Sequence, residues 1–143
     1  MKKDVLIKVK SFIESDDDTD RLEITTRGKL LDLGDKAYLT YRETDQNGYD
    51  GCSVLIKLDS EKRVTISRSG DLKSQLVVEK GRRNLCSYAT PYGSTLLGIT
   101  CSALKVRRDG GFLSEIDTAY ELDVDSSLIS RNQVFIKIKE CKN

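Results

Sequence analysis

In the segment RVTISRSGDL, Arg68 stands two residues beyond Ile66 and four beyond Val64. Side chains of an extended chain alternate between two faces, so this guanidinium shares a face with two branched aliphatic residues. A charge on an apolar face is costly unless it is paired. Two readings follow. In the first, Arg68 binds an anion: its planar fork suits a carboxylate or phosphate, and Tyr41 or Tyr120 donates a further hydrogen bond. In the second, Glu43, which bears the same even-spaced relation to Leu39 and Tyr41, pairs with Arg68 and plugs the interior or reaches solvent. Tyr88, Tyr92 and Tyr120 combine an apolar body with one polar tip, which suits a cavity wall as well as a core or corner. The candidate ligand-binding residues are therefore Arg68, Glu43, Tyr41, Tyr88 and Tyr120.

Other chemistries have less to stand on. The chain has 143 residues and no histidine, which removes the Ser-His-Asp and Cys-His nucleophile systems, the His-bearing metal sites and the usual general base. It has no P-loop and no G-x-G-x-x-G. No catalytic residue, cofactor or metal is predicted. SDDDTD is dense in oxygen ligands but lacks the glycine and terminal glutamate of an EF-hand loop, and reads as a solvated turn. GRR (81–83) and RRDGG (107–111) could grip phosphate as turns, yet no aromatic platform flanks them. The four cysteines, Cys52, Cys86, Cys101 and Cys141, show no C-x-x-C spacing and read as free thiols.

Charge sets further bounds. Against 24 basic residues stand 23 acidic ones, a net charge of +1, with the basic groups spread along the chain. No strong field results, so neither nucleic acid nor a membrane is an expected partner; a small molecule is, and self-association is left open. In MKKDVLIKVKSF apolar residues alternate with charge, which fits neither a signal peptide nor a membrane span. The expectation is a cytoplasmic protein with a single domain, residues 1–143.

The elements that carry these residues show a period of two. Val5, Ile7, Val9 and Ile13 share one face, as do Leu22, Ile24, Thr26 and Leu30. Ala37, Leu39 and Tyr41 follow, then Cys52, Val54, Ile56 and Leu58, then Val64 and Ile66, then Leu72, Leu76 and Val78. Near the end come Phe112, Ile116, Tyr120, Leu122 and Val124, with Glu115, Asp117, Glu121 and Asp123 opposite, and finally Val134, Ile136 and Ile138. Turn chemistries separate the runs, DVDSSLISRN among them. One-sided strands joined in sequence order predict an all-β protein, an antiparallel meander β-barrel of about 8–10 strands, since closure removes the exposed edges. The acidic run 115–123 is expected to face Lys137 and Lys139 across the last hairpin.

In SYATPYGSTLLGITC, Gly93-Ser94 fit a two-residue type II′ turn with Pro91 at a bulged or non-bonded position beside it. That register sets Tyr88 opposite Ile99 and Cys86 opposite Cys101, either as a redox clip or as reduced core fillers.

Together with KAYLTYRET, VTISRSGDLKSQLVVEKG and GFLSEIDTAYELDV, this segment resembles the YwiB-like family of uncharacterised proteins of Gram-positive bacteria, over residues from about Asp4 to Glu140. The resemblance implies a calycin (lipocalin-like) barrel of unknown function and brings no catalytic residues. The chain lacks tryptophan, and with it the G-x-W signature of lipocalins.

Three functions stay open. One is a non-catalytic barrel that binds a small, largely apolar ligand with a polar or anionic end. Another is an interaction module with a side-chain-filled barrel, marked by outward Tyr38, Leu55 or Phe135. The third is a histidine-independent enzyme. An apolar cavity of roughly 300 Å³ or more beside Arg68 would favour the first.

Overall fold

In a computed structural model the chain forms ten antiparallel strands that close into a barrel. The structure describes residues 2–16, 18–42, 53–70, 73–90 and 93–141, and of 88–90 the backbone alone. The strands are β1 (Lys2–Ser15), β2 (Asp18–Asp32), β3 (Ala37–Arg42), β4 (Ser53–Ser60), β5 (Arg63–Ser69), β6 (Ser74–Glu79), β7 (Arg83–Thr90), β8 (Gly93–Asp109), β9 (Phe112–Val124) and β10 (Ser127–Glu140). Each lies beside the next, and β1 returns to β10 from Val5↔Glu140 to Ser15↔Ser130. No described residue is helical. The expected meander barrel is the observed one.

Alternation produced this result. Val5, Ile7, Val9, Ile24, Leu30, Ala37, Leu39, Tyr41, Val54, Ile56, Leu58, Val64, Leu76 and Val78, all assigned inward on spacing alone, form one buried cluster. Cys52 and Leu72 lie outside the described residues. Packing is tightest toward the end that holds the β2–β3, β4–β5 and β8–β9 turns, here called the base. Leu30, Leu39, Leu58, Val64, Val78, Leu113 and Ile116 are no more than 1% exposed.

The base is tied across as well as around. Asp32, at the end of β2, accepts from Arg108 Nη1 at 2.8 and 3.1 Å, from Leu113 N at 3.3 Å and from Gly34 N at 3.0 Å. Arg108 also donates to the Gly111 carbonyl at 3.2 Å. Strands β2 and β8 are not neighbours in the sheet. The carboxylate therefore holds the β8–β9 hairpin over the bottom of the core.

A second clamp lies on the outer wall. Arg83 of β7 reaches over β8 to Asp123 of β9, with Nη2–Oδ2 at 2.6 Å and Nε–Oδ1 at 3.1 Å. Gly98 is the strand residue beneath, and a Cβ there would overlap both the guanidinium and the carboxylate. Asp123 also accepts from Ser126 N at 3.0 Å, which steadies the β9–β10 turn, where Asp125 and Ser126 both take positive φ. The Arg83 hydrogen bond holds the Asp123 carboxyl below its ordinary range, against the opposing effect of desolvation.

Four expectations about registers and partners are corrected. Thr90 pairs with Gly93, so Gly93 and Ser94 are ladder residues and the β7–β8 connection is residues 91–92, which lie outside the described residues with the Pro91 assignment. Consequently Tyr88 faces Thr95 and Cys86 faces Leu97, while Cys101 pairs with Tyr120 of β9. No Cys86–Cys101 pair exists; Cys86, Cys101 and Cys141 are free thiols. DVDSSLISRN is not a long turn, because β10 already begins at Ser127. Finally, the acids of β9 meet arginines: Glu115 lies 3.6 Å from Arg107, Glu121 3.3 Å from Arg131, and Asp123 bonds Arg83. Lys137 does stand opposite Glu115 in the β9–β10 ladder, but the ion pairs are made by Arg107 and Arg131, which lie directly opposite Glu115 and Glu121, and by Arg83 reaching over Gly98, while Lys139 pairs with Leu6 of β1.

One seam is thin. Between β6 and β7 the register among the described residues is Ser74↔Tyr88 alone. Below it the Val77 N–H donates to Cys86 Sγ at 3.3 Å in place of a carbonyl, and Asn84 Nδ2 is buried without a partner.

Two outcomes test the clamps. Asp32→Asn and Arg108→Met should each lower unfolding free energy by about 1–2 kcal/mol, a hydrogen-bonded charge pair discounted for partial exposure, as read by urea titration. For Asp123, whose folded pKa is depressed, the stabilisation is present above the unfolded carboxylate value of about 4 and is lost as pH falls through the folded value. Wild type and Asp123→Asn should therefore differ most near neutral pH and converge in acid. A constant difference from pH 7 down to pH 2 would contradict this assignment.

Candidate functional site

Above the packed base the barrel is hollow. A cavity of about 760 Å³ occupies the half nearer the β1–β2 and β9–β10 turns, lined by residues from most of the strands. None of the fully buried side chains that fill the rest of the interior lines it. Its wall is largely aliphatic, with Val9, Ile24, Ile56, Ile66, Leu76 and Ile136 prominent. The volume falls inside the range of small-molecule sites, about 300–1,000 Å³.

Arg68 reaches this cavity as the pleat of β5 requires, one step beyond Ile66 on the inward face. Tyr41 and Tyr120 line the same space. The register explains why Tyr41 and Arg68 come together. Tyr41, Val54 and Arg68 face one another in a single row across β3, β4 and β5, so two strand spacings, about 10 Å, separate their backbones. The row continues through Ser74 to Tyr88 and Thr95, which places the Tyr88 backbone at the same level. The Tyr88 side chain and all of Glu43 lie outside the described residues. Gly28 stands opposite Tyr41 on β2, and a Cβ there would overlap the Thr40 carbonyl and Ile7. This close approach lets β2 and β3 bend together beside the tyrosine.

The electrostatics of the wall are simple. Burial pushes the Tyr120 phenol above its ordinary value of 10.0, while the positive charge of Arg68 pulls it down. A phenol so placed is neutral at physiological pH and can donate. Arg68 thus stands beside two tyrosines in a low-dielectric space, where a carboxylate or phosphate gains more from a guanidinium than it would in water.

Sequence reasoning missed one wall residue and the side chain that holds it. Asn132 and Ser130 of β10 are 7% and 6% exposed. Asn132 lines the cavity, and its Nδ2 donates to Ser130 Oγ at 3.0 Å. They were hidden in a polar run that reads as turn. A register shift between Leu128 and Ser130 sets the phase in which Ser130, Asn132, Val134 and Ile136 alternate inward. The signal that could have found them is Val134 and Ile136 counted backward by twos.

The remaining candidates turn out to be structural. Arg82, Arg83, Arg107 and Arg108 of the two basic turns are all engaged by carboxylates: Glu79, Asp123, Glu115 and Asp32. Among the described residues no group of three or more metal-type ligands comes together. On the outer wall Tyr38, Leu55 and Phe135 are only partly exposed, Tyr38 beneath Lys57 at 5.8 Å. The large exposed apolar side chains are others, among them Leu33, Leu85 and Leu96. No described helix is long and apolar enough to cross a membrane.

The contrast between packed base and hollow upper half can be measured on one strand. Val64→Phe should cost about 1–3 kcal/mol through overpacking, whereas Ile66→Phe, which faces the cavity, should cost much less or stabilise. Equal losses in thermal or urea unfolding would mean that the upper half is filled.

Comparison with known proteins agrees with this architecture. The solved structure titled "Crystal structure of ywiB protein from Bacillus subtilis" matches with a TM-score of 0.80 at 21% identity, over 99% of this chain and 94% of that one, a likeness of fold. No curated protein matches. A family model described as "Domain of unknown function (DUF1934)" matches residues 7–136, nearly the whole barrel. The YwiB-like resemblance read from the motifs is borne out, and the chain belongs to the DUF1934 family.

Proposed function

We propose that this protein is a non-catalytic, calycin-like binding barrel of the cytoplasm that holds a small, largely apolar ligand with its anionic end at Arg68. The observation that carries the reading is the cavity of about 760 Å³, aliphatic around most of its wall and bearing this guanidinium and two tyrosines. An apolar body would be driven in by burial, at about 25 cal/mol per Å² of apolar surface removed from water. Its carboxylate or phosphate would exchange water for Arg68 and for the hydroxyls of Tyr41 and Tyr120. The filled-barrel alternative has less support, because the upper half has room that its own side chains leave open. A histidine-independent enzyme has less support, since the carboxylate that lines this space, Asp20, is exposed at its edge.

Arg68→Met tests the reading. The substitution keeps the length and apolar contacts of the stem while deleting the charge. Titrated with decanoate, the variant should bind about 10–100-fold more weakly than wild type, the loss of a charge-assisted hydrogen bond at about 1.5–3 kcal/mol. Native mass spectrometry of protein purified from cells should show a bound mass on wild type that the variant lacks. Equal affinity for the two proteins, with both folded, would remove Arg68 from the site.

A further inference from the structure

The wall facing Arg68 carries a second polar group, and its chemistry is of the opposite kind. Arg68 sits on β5 and Asn132 on β10. In the closed order these strands are five steps apart in either direction, so the two residues occupy opposite walls of one cavity. Asn132 is 7% exposed, and its Nδ2 is spent on Ser130 Oγ at 3.0 Å. That leaves the carbonyl Oδ1. It is not among the buried atoms that lack a partner, a condition met by Asn84 Nδ2 alone among the described residues, and no hydrogen bond reaches it. Among the described residues no donor reaches this oxygen, on a side chain that is more than nine-tenths buried and lines the cavity. Tyr120 is its direct neighbour in the register.

We infer that the Asn132–Ser130 pair is a second recognition station, and that the ligand is an anionic amphiphile whose far end carries a hydrogen-bond donor, a hydroxyl or an N–H. This rests on the proposed role of Arg68 and sharpens it. An aliphatic wall with Arg68 inside it, and the exposed Asp20 and Arg21 at its edge, would accept any apolar acid of the right length. An acceptor fixed on the opposite wall favours a ligand that donates to it over one that ends in a methyl group, because the methyl would strip water from Oδ1 and return nothing. The seat is rigid. Ser130 holds the amide by its nitrogen, and the β9–β10 ladder fixes the backbone through Asn132↔Tyr120 and Ser130↔Leu122. Ten strands about 4.8 Å apart give a width of about 15 Å between backbones, and the Arg68 stem reaches inward far enough for its charge to act on Tyr120 beside Asn132, so a short unbranched chain can bridge the two groups.

Matched pairs of probes test this on the full chain. Alkanoates from hexanoate to dodecanoate are titrated calorimetrically beside the ω-hydroxyalkanoates of equal length. At the length that spans the cavity, the hydroxylated member should bind wild type about tenfold or more tightly than its plain partner. Asn132→Leu should abolish or reverse that preference while keeping affinity for the plain acid, and Asn132→Asp, which retains an acceptor, should keep it. The wild-type comparison decides even if a variant fails to fold. Should the plain acids bind, lose affinity in Arg68→Met, and exceed or equal their hydroxylated partners at every length, the second station is overturned and the Arg68 site survives. Should no acid of either series bind, both readings fall.

Discussion

A sheet of ten strands closes around more space than its own inward side chains fill. Eight strands are about the number whose lining residues just meet at the axis, and diameter grows with each strand added. Everything else in this barrel is a response to that surplus. At the base the response is to fill. Leucine, isoleucine and valine from nearly every strand converge, and the β8–β9 hairpin is drawn over them by the Asp32 carboxylate. Without that tie the hairpin would leave the bottom of the core in contact with water. In the upper half the surplus is left, and the result is a cavity of about 760 Å³.

The division is visible in residue type. Inward positions outside the cavity are mostly aliphatic, Ser114 and Thr118 excepted, whereas the cavity wall includes Ser11, Arg68, Thr95, Tyr120 and Asn132. A polar inward residue can be absorbed by local structure. Thr118, for example, donates to the Ala103 carbonyl at 2.9 Å beside the register shift in β8, where the ladder is disturbed. Asn132 is not absorbed in this way. Arg68 and Tyr120 are coupled through space, since the phenol senses the guanidinium charge. A guanidinium, a phenol and an amide gathered around one space in the interior fit a purpose other than folding better than aliphatic packing would require.

Much of this was legible in the sequence. Pairwise alternation named nearly every buried aliphatic residue, because a strand gives its side chains only two directions. It also sent Arg68 inward, because counting by twos from Val64 and Ile66 needs no tertiary knowledge. What failed did so for identifiable reasons. Gly93 is a good turn residue by type, but where a hairpin turns is set by the whole ladder, here from Arg83↔Thr100 to Thr90↔Gly93, and the turn moved two residues. Bulges in β4, β8 and β10 change the phase of the alternation, and no composition rule marks them. Ser130 and Asn132 were lost because inward polar residues and turn residues are drawn from the same alphabet. Glu43 and the Tyr88 side chain fall outside the described residues, so the Arg68–Glu43 pair and the Tyr88 wall stand as the sequence left them.

The thin seam between β6 and β7 follows from the same geometry. Long strands β8, β9, β10, β1 and β2 are consecutive around the barrel, with 13–17 residues each, while β3 to β7 have 6–8. A long half and a short half cannot match over their full lengths. The two halves meet at β2–β3 and β7–β8, and the thin seam lies one strand inside the short half, where β6 with six residues meets β7. Sulfur and amide side chains there replace ladder bonds, with Cys86 Sγ accepting from Val77 N. The cavity lies just inside, since Leu76 and Leu97, the neighbours of this seam, both line it. The weakest stretch of wall is therefore beside the space proposed for the ligand; of the two strongest ties, Asp32–Arg108 joins the long strands β2 and β8, while Arg83–Asp123 anchors the first residue of β7 to β9. Local opening costs least where fewest ladder bonds must break, so the short register between β6 and β7 directs the barrel's breathing to the wall beside the cavity.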